Sequence, residues 1–178
     1  MKTTITHPFP PLFDSNSTVL ILGSFPSVKS REQLFFYGHP QNRFWKVMAR
    51  LLNSPVPASI PEKKALLLQN RIALWDSIAS CEIEGSSDSC ISSAEVNDLT
   101  PIFSGSEIRH VFCNGKKAWE MYHQYIEPRT GFPASCLPST SPANAAWSLE
   151  RLCRAWAAAI LPCLQNSPAN IKKTLESS

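Results

Sequence analysis

The chain is 178 residues long and 43% hydrophobic, enough to enclose one core and too little for two, so a single domain over residues 1–162 is expected, with a flexible tail over 163–178. Its 17 Lys and Arg against 14 Asp and Glu leave a formal net charge of +3, which permits a phosphate-rich partner and excludes a polybasic arm built to coat nucleic acid. The six cysteines form no C-x-x-C pair and no zinc-ligand spacing with histidine, and no segment approaches the ~20 apolar residues of a membrane span or the core of a signal peptide, so a cytoplasmic protein with ordinary thiols and no metal centre is expected.

In chain order, a proline-rich entry leads into Thr18–Leu22, a β-branched apolar run ended by Gly23 that reads as a strand buried on both faces. The stretch Ser24–Gln41 reads as a long loop. A helix over about Asn42–Leu52 follows, with Phe44, Trp45, Met48, Leu51 and Leu52 on one face and Pro55 and Pro57 closing it. Pro61–Asn70 predicts a helix with proline in its first turn, and Arg71–Asp76 a second apolar strand. Cys81–Ser93, rich in Ser, Asp and Gly, reads as a surface loop, and a short helix is expected from Asn97. Ile108–Cys113 predicts a third strand that breaks at Asn114-Gly115 into a helix carrying Ala118, Trp119, Met121 and Tyr122. Ala134–Leu137 suggests a fourth strand, running through Pro138-Ser139-Thr140-Ser141-Pro142 into the longest helix, with Ser141 at its N-cap and an apolar stripe of Leu149, Leu152, Cys153, Trp156 and Ile160.

Strands that alternate with helices and lack in/out polar alternation point to an α/β fold, a three-layer α/β/α sandwich around a mostly parallel four-stranded sheet. Ligands of such sheets bind beyond the carboxyl ends of the strands. Those ends are Gly23-Ser24, Asp76-Ser77, Asn114-Gly115 and Pro138-Ser139, the compositionally unusual segments of the chain. A glycine at a strand end lets backbone approach a ligand closely, and a Ser-x-Pro turn at a helix start presents free N–H groups that favour a phosphate, although most such triplets only begin helices.

The pattern Gly23-x-x-Pro26-Ser27, followed by Tyr37-Gly38-His39-Pro40-Gln41-Asn42-Arg43-Phe44-Trp45, resembles the mismatch-specific and hypoxanthine-type members of the uracil-DNA glycosylase superfamily. Leu137–Asn144 is similar to that superfamily's second signature, a Pro-Ser loop that enters the minor groove beside a flipped nucleotide. Leu74-Trp75-Asp76, Glu84-Gly85-Ser86 and Phe112–Lys116 fall where the hypoxanthine-type branch has comparable segments, so the resemblance spans Val19–Ile160. It implies a monomeric, cofactor-free and metal-free enzyme that removes deaminated bases, hypoxanthine above all, from DNA. One position departs from the wider family: Phe25 stands where mismatch-type relatives carry a water-activating Asn and others an Asp or Glu. The hypoxanthine-type branch also lacks a polar residue there and uses an Asn in the His-Pro-x-Asn block, which maps onto Asn42.

Cleaving an N-glycosidic bond puts positive charge on the sugar and negative charge on the departing base, so the chemistry asks for a positioned water and donors facing the base rather than a strong nucleophile. On that basis Asn42 is assigned to hold the water, with capping of the Phe44-Trp45 helix as its structural alternative. His39 is a second catalytic candidate, able to polarise the base's carbonyl oxygen or contact a phosphate, and ranks below Asn42 because a histidine before proline is more often a structural hydrogen-bonder. Tyr37 offers a stacking face for the extruded base or a core aromatic, and Asn114 either reads the base's Watson–Crick edge or forms the Asn-Gly turn. Backbone N–H groups of Gly23, Ser24 and Phe25 are assigned to the base's carbonyl oxygen. Ser139 and Ser141 are phosphate candidates, Thr140–Asn144 the wedge that fills the vacated stack, and Lys29, Arg31, Lys116 and Lys117 sources of sequence-independent attraction. Asp76 is left between orienting a loop and touching the base. The competing functions are a mismatch-type uracil or thymine glycosylase, a catalytically silent damage-binding module, and an unrelated flavodoxin-like mononucleotide binder, which would need more glycines after the first strand than Gly23.

Overall fold

A computed structural model describes residues 2–84 and 92–165. The chain runs β1 (Lys2–Thr6), β2 (Val19–Gly23), α1 (Val28–Gln33), α2 (Phe44–Leu51), α3 (Ile60–Gln69), β3 (Ile72–Asp76), β4 (Ile78–Glu84) and β5 (Ser92–Val96). Then come α4 (Thr100–Ser104), β6 (His110–Asn114), α5 (Lys116–Met121), a π-helical turn Tyr122–Ile126, α6 (Glu127–Thr130), β7 (Ala134–Leu137) and α7 (Leu149–Gln165). Among the described residues no helix is long and apolar enough to cross a membrane.

β2 and β3 are buried at every position, as strands covered on both faces must be. With β6 and β7 they make an all-parallel sheet in the order β3-β2-β6-β7. The connection from β2 to β3 steps one way across this sheet and that from β6 to β7 the other. Right-handed crossovers therefore put the intervening helices on opposite faces, and α7 returns to pack against α2. The crevice opens where the strand order reverses, between the ends of β2 and β6, at Gly23 and Asn114. Trp156 of α7, Tyr122, Phe36 and Phe44 are the largest side chains sealed in the core.

Several expectations are corrected. The segment read as a loop over 24–41 contains α1, too short for an apolar period and started by Ser27, whose Oγ accepts from Ser30 N at 3.2 Å. The N-terminal residues and part of the expected loop Cys81–Ser93 form a second, antiparallel sheet, β1-β4-β5, with Thr6 opposite Ser80 and Lys2 opposite Glu84. Its outer strands are mostly exposed, so they carry no hydrophobic signal. Residues 85–91, including Gly85, Ser86 and Cys90, and the tail from 166 lie outside the described residues. Cys81 is disulfide-bonded, contrary to the reading of all six cysteines as thiols, because pairing depends on Cβ proximity that spacing does not reveal. α7 continues to Gln165 and buries Leu164. It also begins at Leu149, where Ser148 Oγ accepts from Arg151 N at 3.2 Å, and not at Ser141. The reason is Arg43: its guanidinium donates to the carbonyls of Ser141 (2.9 Å), Asn144 (3.0 Å) and Trp147, oxygens that a helix started at Ser141 would have used itself.

Candidate active site

One cavity of about 240 Å³ opens at the carboxyl ends of the parallel strands. That is below the roughly 300–1,000 Å³ of pockets for drug-sized ligands, a size suited to one planar base. Gly23, Ser24 and Phe25 line it from the end of β2, and Tyr37, His39 and Asn42 from the segment before α2. Asp76 closes the end of β3, Asn114 that of β6, and Ser139, Thr140, Ser141 and Pro142 border it after β7, with Lys117 of α5 beside them. Lys29, Arg31, Lys116 and Asn144, all named as DNA contacts, are not part of this lining.

Parallel pairing sets Gly23 directly opposite Asp76. A side chain at 23 would meet both neighbours, since an added Cβ stands 2.4 Å from Asp76 Oδ1 and 3.0 Å from Tyr37 Oη. Tyr37 takes a left-handed backbone, φ 54°, a conformation that is costly for a bulky L-residue. It is held there by Gly38 N donating to Ser30 Oγ at 2.9 Å and by ring stacking on Phe44 at 4.0 Å and 24°. One face of the ring is thus occupied by Phe44, and the hydroxyl is buried without a hydrogen-bond partner. Burial, and next the charge of Asp76, push the phenol above its ordinary range, so it keeps its proton.

The two asparagines are joined through Thr140. Asn114 Nδ2 donates to Thr140 Oγ1 at 2.9 Å, Thr140 Oγ1 donates to Asn42 Oδ1 at 2.9 Å, and Thr140 N donates to Asn114 Oδ1 at 3.0 Å. Asn42 Oδ1 also accepts from Phe44 N at 2.9 Å, the capping role weighed for it. Both lone pairs of Oδ1 are therefore used, and among the described residues Nδ2 is the amide group without a partner. Thr140, assigned to the DNA wedge, is fully buried and serves as the clamp between these carboxamides. Gly115, at φ 93°, lets the loop close down: an added Cβ would stand 3.1 Å from Ser139 Cβ.

The remaining assigned residues are held mainly by the protein itself. His39 is half-buried at the rim, its Nδ1 accepting from Gln41 N at 3.1 Å. Ser139 Oγ accepts from Ser141 N and Ser141 Oγ from Ala143 N, both at 3.1 Å. The Asn144 amide points back to Ser139 O at 3.0 Å. Arg31 donates to Pro26 O at 2.7 Å, Lys29 pairs with Glu32 at 3.4 Å and Lys116 with Glu120 at 3.8 Å.

Two participants carried no role in the sequence reading, Arg43 and His7, and a third, Lys117, was read only as a source of general attraction. Arg43 straps the 138–148 loop, Lys117 lines the cavity, and His7 reaches Asp76: Nε2 lies 2.7 Å from Oδ2, with both side chains at most 6% exposed. Arg43 sits inside the quoted motif and Asp76 at a strand end, but nothing near position 7 signals its partner 69 residues away. Among the described residues no cluster of His, Cys, Asp or Glu suits a metal ion.

The family model of the Uracil DNA glycosylase superfamily matches residues 10–165. A protein of Methanosarcina acetivorans named hypoxanthine DNA glycosylase is 37% identical over 153 residues, covering 83% of this chain and 93% of its own length. One of the same name from Methanosarcina barkeri is 32% identical over 138 residues, covering 76% and 86%. A Methanosarcina acetivorans protein solved by solution NMR superposes with a TM-score of 0.74 at 34% identity, covering 87% of this chain and 96% of that one.

Proposed function

Because this chain belongs to the uracil DNA glycosylase superfamily, we propose that it is a monofunctional DNA glycosylase that takes a deaminated base, hypoxanthine first, out of the helix and hydrolyses its N-glycosidic bond. Two relatives covered over most of their length bear the name hypoxanthine DNA glycosylase. The observation that carries the reading is the single base-sized cavity shared by Asn42, Tyr37, Asn114 and the Ser139–Ser141 turn. Three segments far apart in sequence converge on it.

In this reading the flipped nucleotide leaves its sugar at the mouth, near Asn42 and the serine turn, and its base inside. Bond breaking builds positive charge on the sugar, which needs a water held on the open face of C1′. With Oδ1 of Asn42 saturated, Nδ2–H donates to this water and leaves a lone pair of the water oxygen facing C1′; as the glycosidic C–N bond breaks and the C1′–O bond forms, the water gives up a proton that the departing base anion takes up. Negative charge on the departing base meets the backbone N–H groups of Ser24 and Phe25 and the remaining Nδ2–H of Asn114, fixed donors that need no reorganisation. Ser139, Ser141, His39 and Lys117 border the mouth, where the flanking phosphates must pass. No metal or cofactor takes part, and one copy of the chain supplies the whole site.

A duplex carrying one deoxyinosine should give an alkali-sensitive abasic site. Intact strands from hypoxanthine, xanthine and uracil substrates, single- and double-stranded alike, would remove this function. A strong preference for G·U or G·T over inosine would move the chain to the mismatch-type reading.

A further inference from the structure

The His7–Asp76 pair is more elaborate than a strand end requires. Asp76 Oδ2 is taken by His7 Nε2 at 2.7 Å, and His7 is fixed by rings of Trp75 at 4.3 Å and Phe9 at 4.5 Å, with Phe25 at 6.0 Å. Asp76 Oδ1 accepts no hydrogen bond among the described residues, yet it is absent from the buried atoms that lack partners, so it is open to the cavity its residue lines. It sits against Gly23, where any side chain would cover it. The arrangement is an acceptor-only oxygen, oriented from behind, on a buried side chain that lines a base-sized pocket.

We propose that Asp76 Oδ1 reads the lactam N–H of the flipped base, and that His7 is the positioning residue that aims Asp76 and draws negative charge away from Oδ1. This rests on the glycosylase function proposed above. A base enters with its glycosidic nitrogen at the mouth, so its far edge meets the floor. In hypoxanthine and xanthine that edge carries N1–H, and in uracil N3–H. Adenine and cytosine, from which hypoxanthine and uracil arise, present a bare ring nitrogen there, whose lone pair would face a carboxylate oxygen. A pocket built to hydrogen-bond one partner rejects its unprotonated analogue strongly, because the buried group is left unpaired. Guanine and thymine share the N–H and must be excluded by other walls. The second part follows from charge: the base becomes negative as it leaves, and a carboxylate beside it opposes departure unless a donor tempers it. His7 Nε2–H is that donor.

The test compares single-turnover cleavage of hypoxanthine and of N1-methylhypoxanthine, each in the same duplex. Wild-type protein should cleave the methylated base at least roughly a hundredfold more slowly. Asp76→Leu, similar in size, should slow hypoxanthine cleavage by a like factor and bring the two substrates together, whereas a steric effect of the methyl group would persist. If Asp76→Leu fails to fold, the double variant His7→Leu/Asp76→Leu, which replaces both members by apolar groups, is read the same way. His7→Leu should lower kcat on hypoxanthine with KM little changed, and His7→Gln, which returns a donor near the Nε2 position, should recover most of it. No cleavage of unmethylated substrates by the wild-type protein sinks the activity and the inference together. Equal wild-type cleavage of both bases, or a methyl penalty that survives in the Leu variants, overturns the inference alone. An unchanged kcat in His7→Leu overturns the positioning role.

Discussion

Thr140→Val isolates the clamp between the two asparagines with almost no change of shape. It removes the acceptor of Asn114 Nδ2 and the donor to Asn42 Oδ1, both at 2.9 Å, while the backbone bond from residue 140 to Asn114 Oδ1 remains. An orphaned buried polar group costs roughly 1–3 kcal/mol. Asn114 bears that cost in full, and Asn42 less, because it is half-exposed and still accepts from Phe44 N; the sum is about 2–3 kcal/mol. At this chain length each kcal/mol moves Tm by roughly 2–4 °C, so the variant should melt about 4–12 °C lower. Turnover on inosine should fall further than the loss of folded protein explains, since the water-holding amide and the base-facing amide lose their common reference. Thr140→Ser, which keeps the hydroxyl, should stay near wild type in rate. Differential scanning calorimetry and single-turnover cleavage read the two effects. Wild-type melting and rate in Thr140→Val would refute the clamp.

Asn42→Ala should reduce turnover by orders of magnitude while lesion-DNA affinity, read by fluorescence anisotropy, is largely kept; it should also lose about 1 kcal/mol of stability with the cap on Phe44 N. Unchanged turnover would return Asn42 to a purely structural role. Gly23→Ala brings a methyl group to 2.4 Å from Asp76 Oδ1 and 3.0 Å from Tyr37 Oη, so cleavage should be abolished and stability should drop by roughly 1–3 kcal/mol from overpacking. Activity close to wild type would show that the cavity floor lies elsewhere. Arg43→Lys keeps the charge and loses the fork that spans three carbonyls. Limited proteolysis should then cut within 141–148 and KM for DNA should rise, and an unaltered digestion pattern would argue against the strap. Trp156→Phe leaves Pro138 O without its 2.9 Å donor and a gap in the core, which should cost about 2–4 kcal/mol in denaturant unfolding. A loss below 1 kcal/mol would contradict the close packing of α7 on the loop.

The amino-acid sequence by itself determined the parallel sheet. Val19–Leu22 and Ile72–Asp76 are uninterrupted apolar runs ended by an abrupt polar or glycine residue, and burial on both faces is the environment that such runs fit. Their ends located the crevice, and the Gly23–Ser27, Tyr37–Trp45 and Leu137–Asn144 motifs located its walls. The antiparallel sheet was not legible, because strands as exposed as β1 and β5 carry no period that distinguishes them from loops. Tertiary structure alone decided what each polar side chain does. Whether Asn42 presents its oxygen or its nitrogen to the cavity depends on Thr140, 98 residues away, and where α7 starts depends on a guanidinium about 100 residues earlier. The orientation of Asp76 depends on a histidine at position 7. Hydrophobic burial is written in local composition, whereas a hydrogen bond has two ends and a direction, and its second end is known only once the chain has folded.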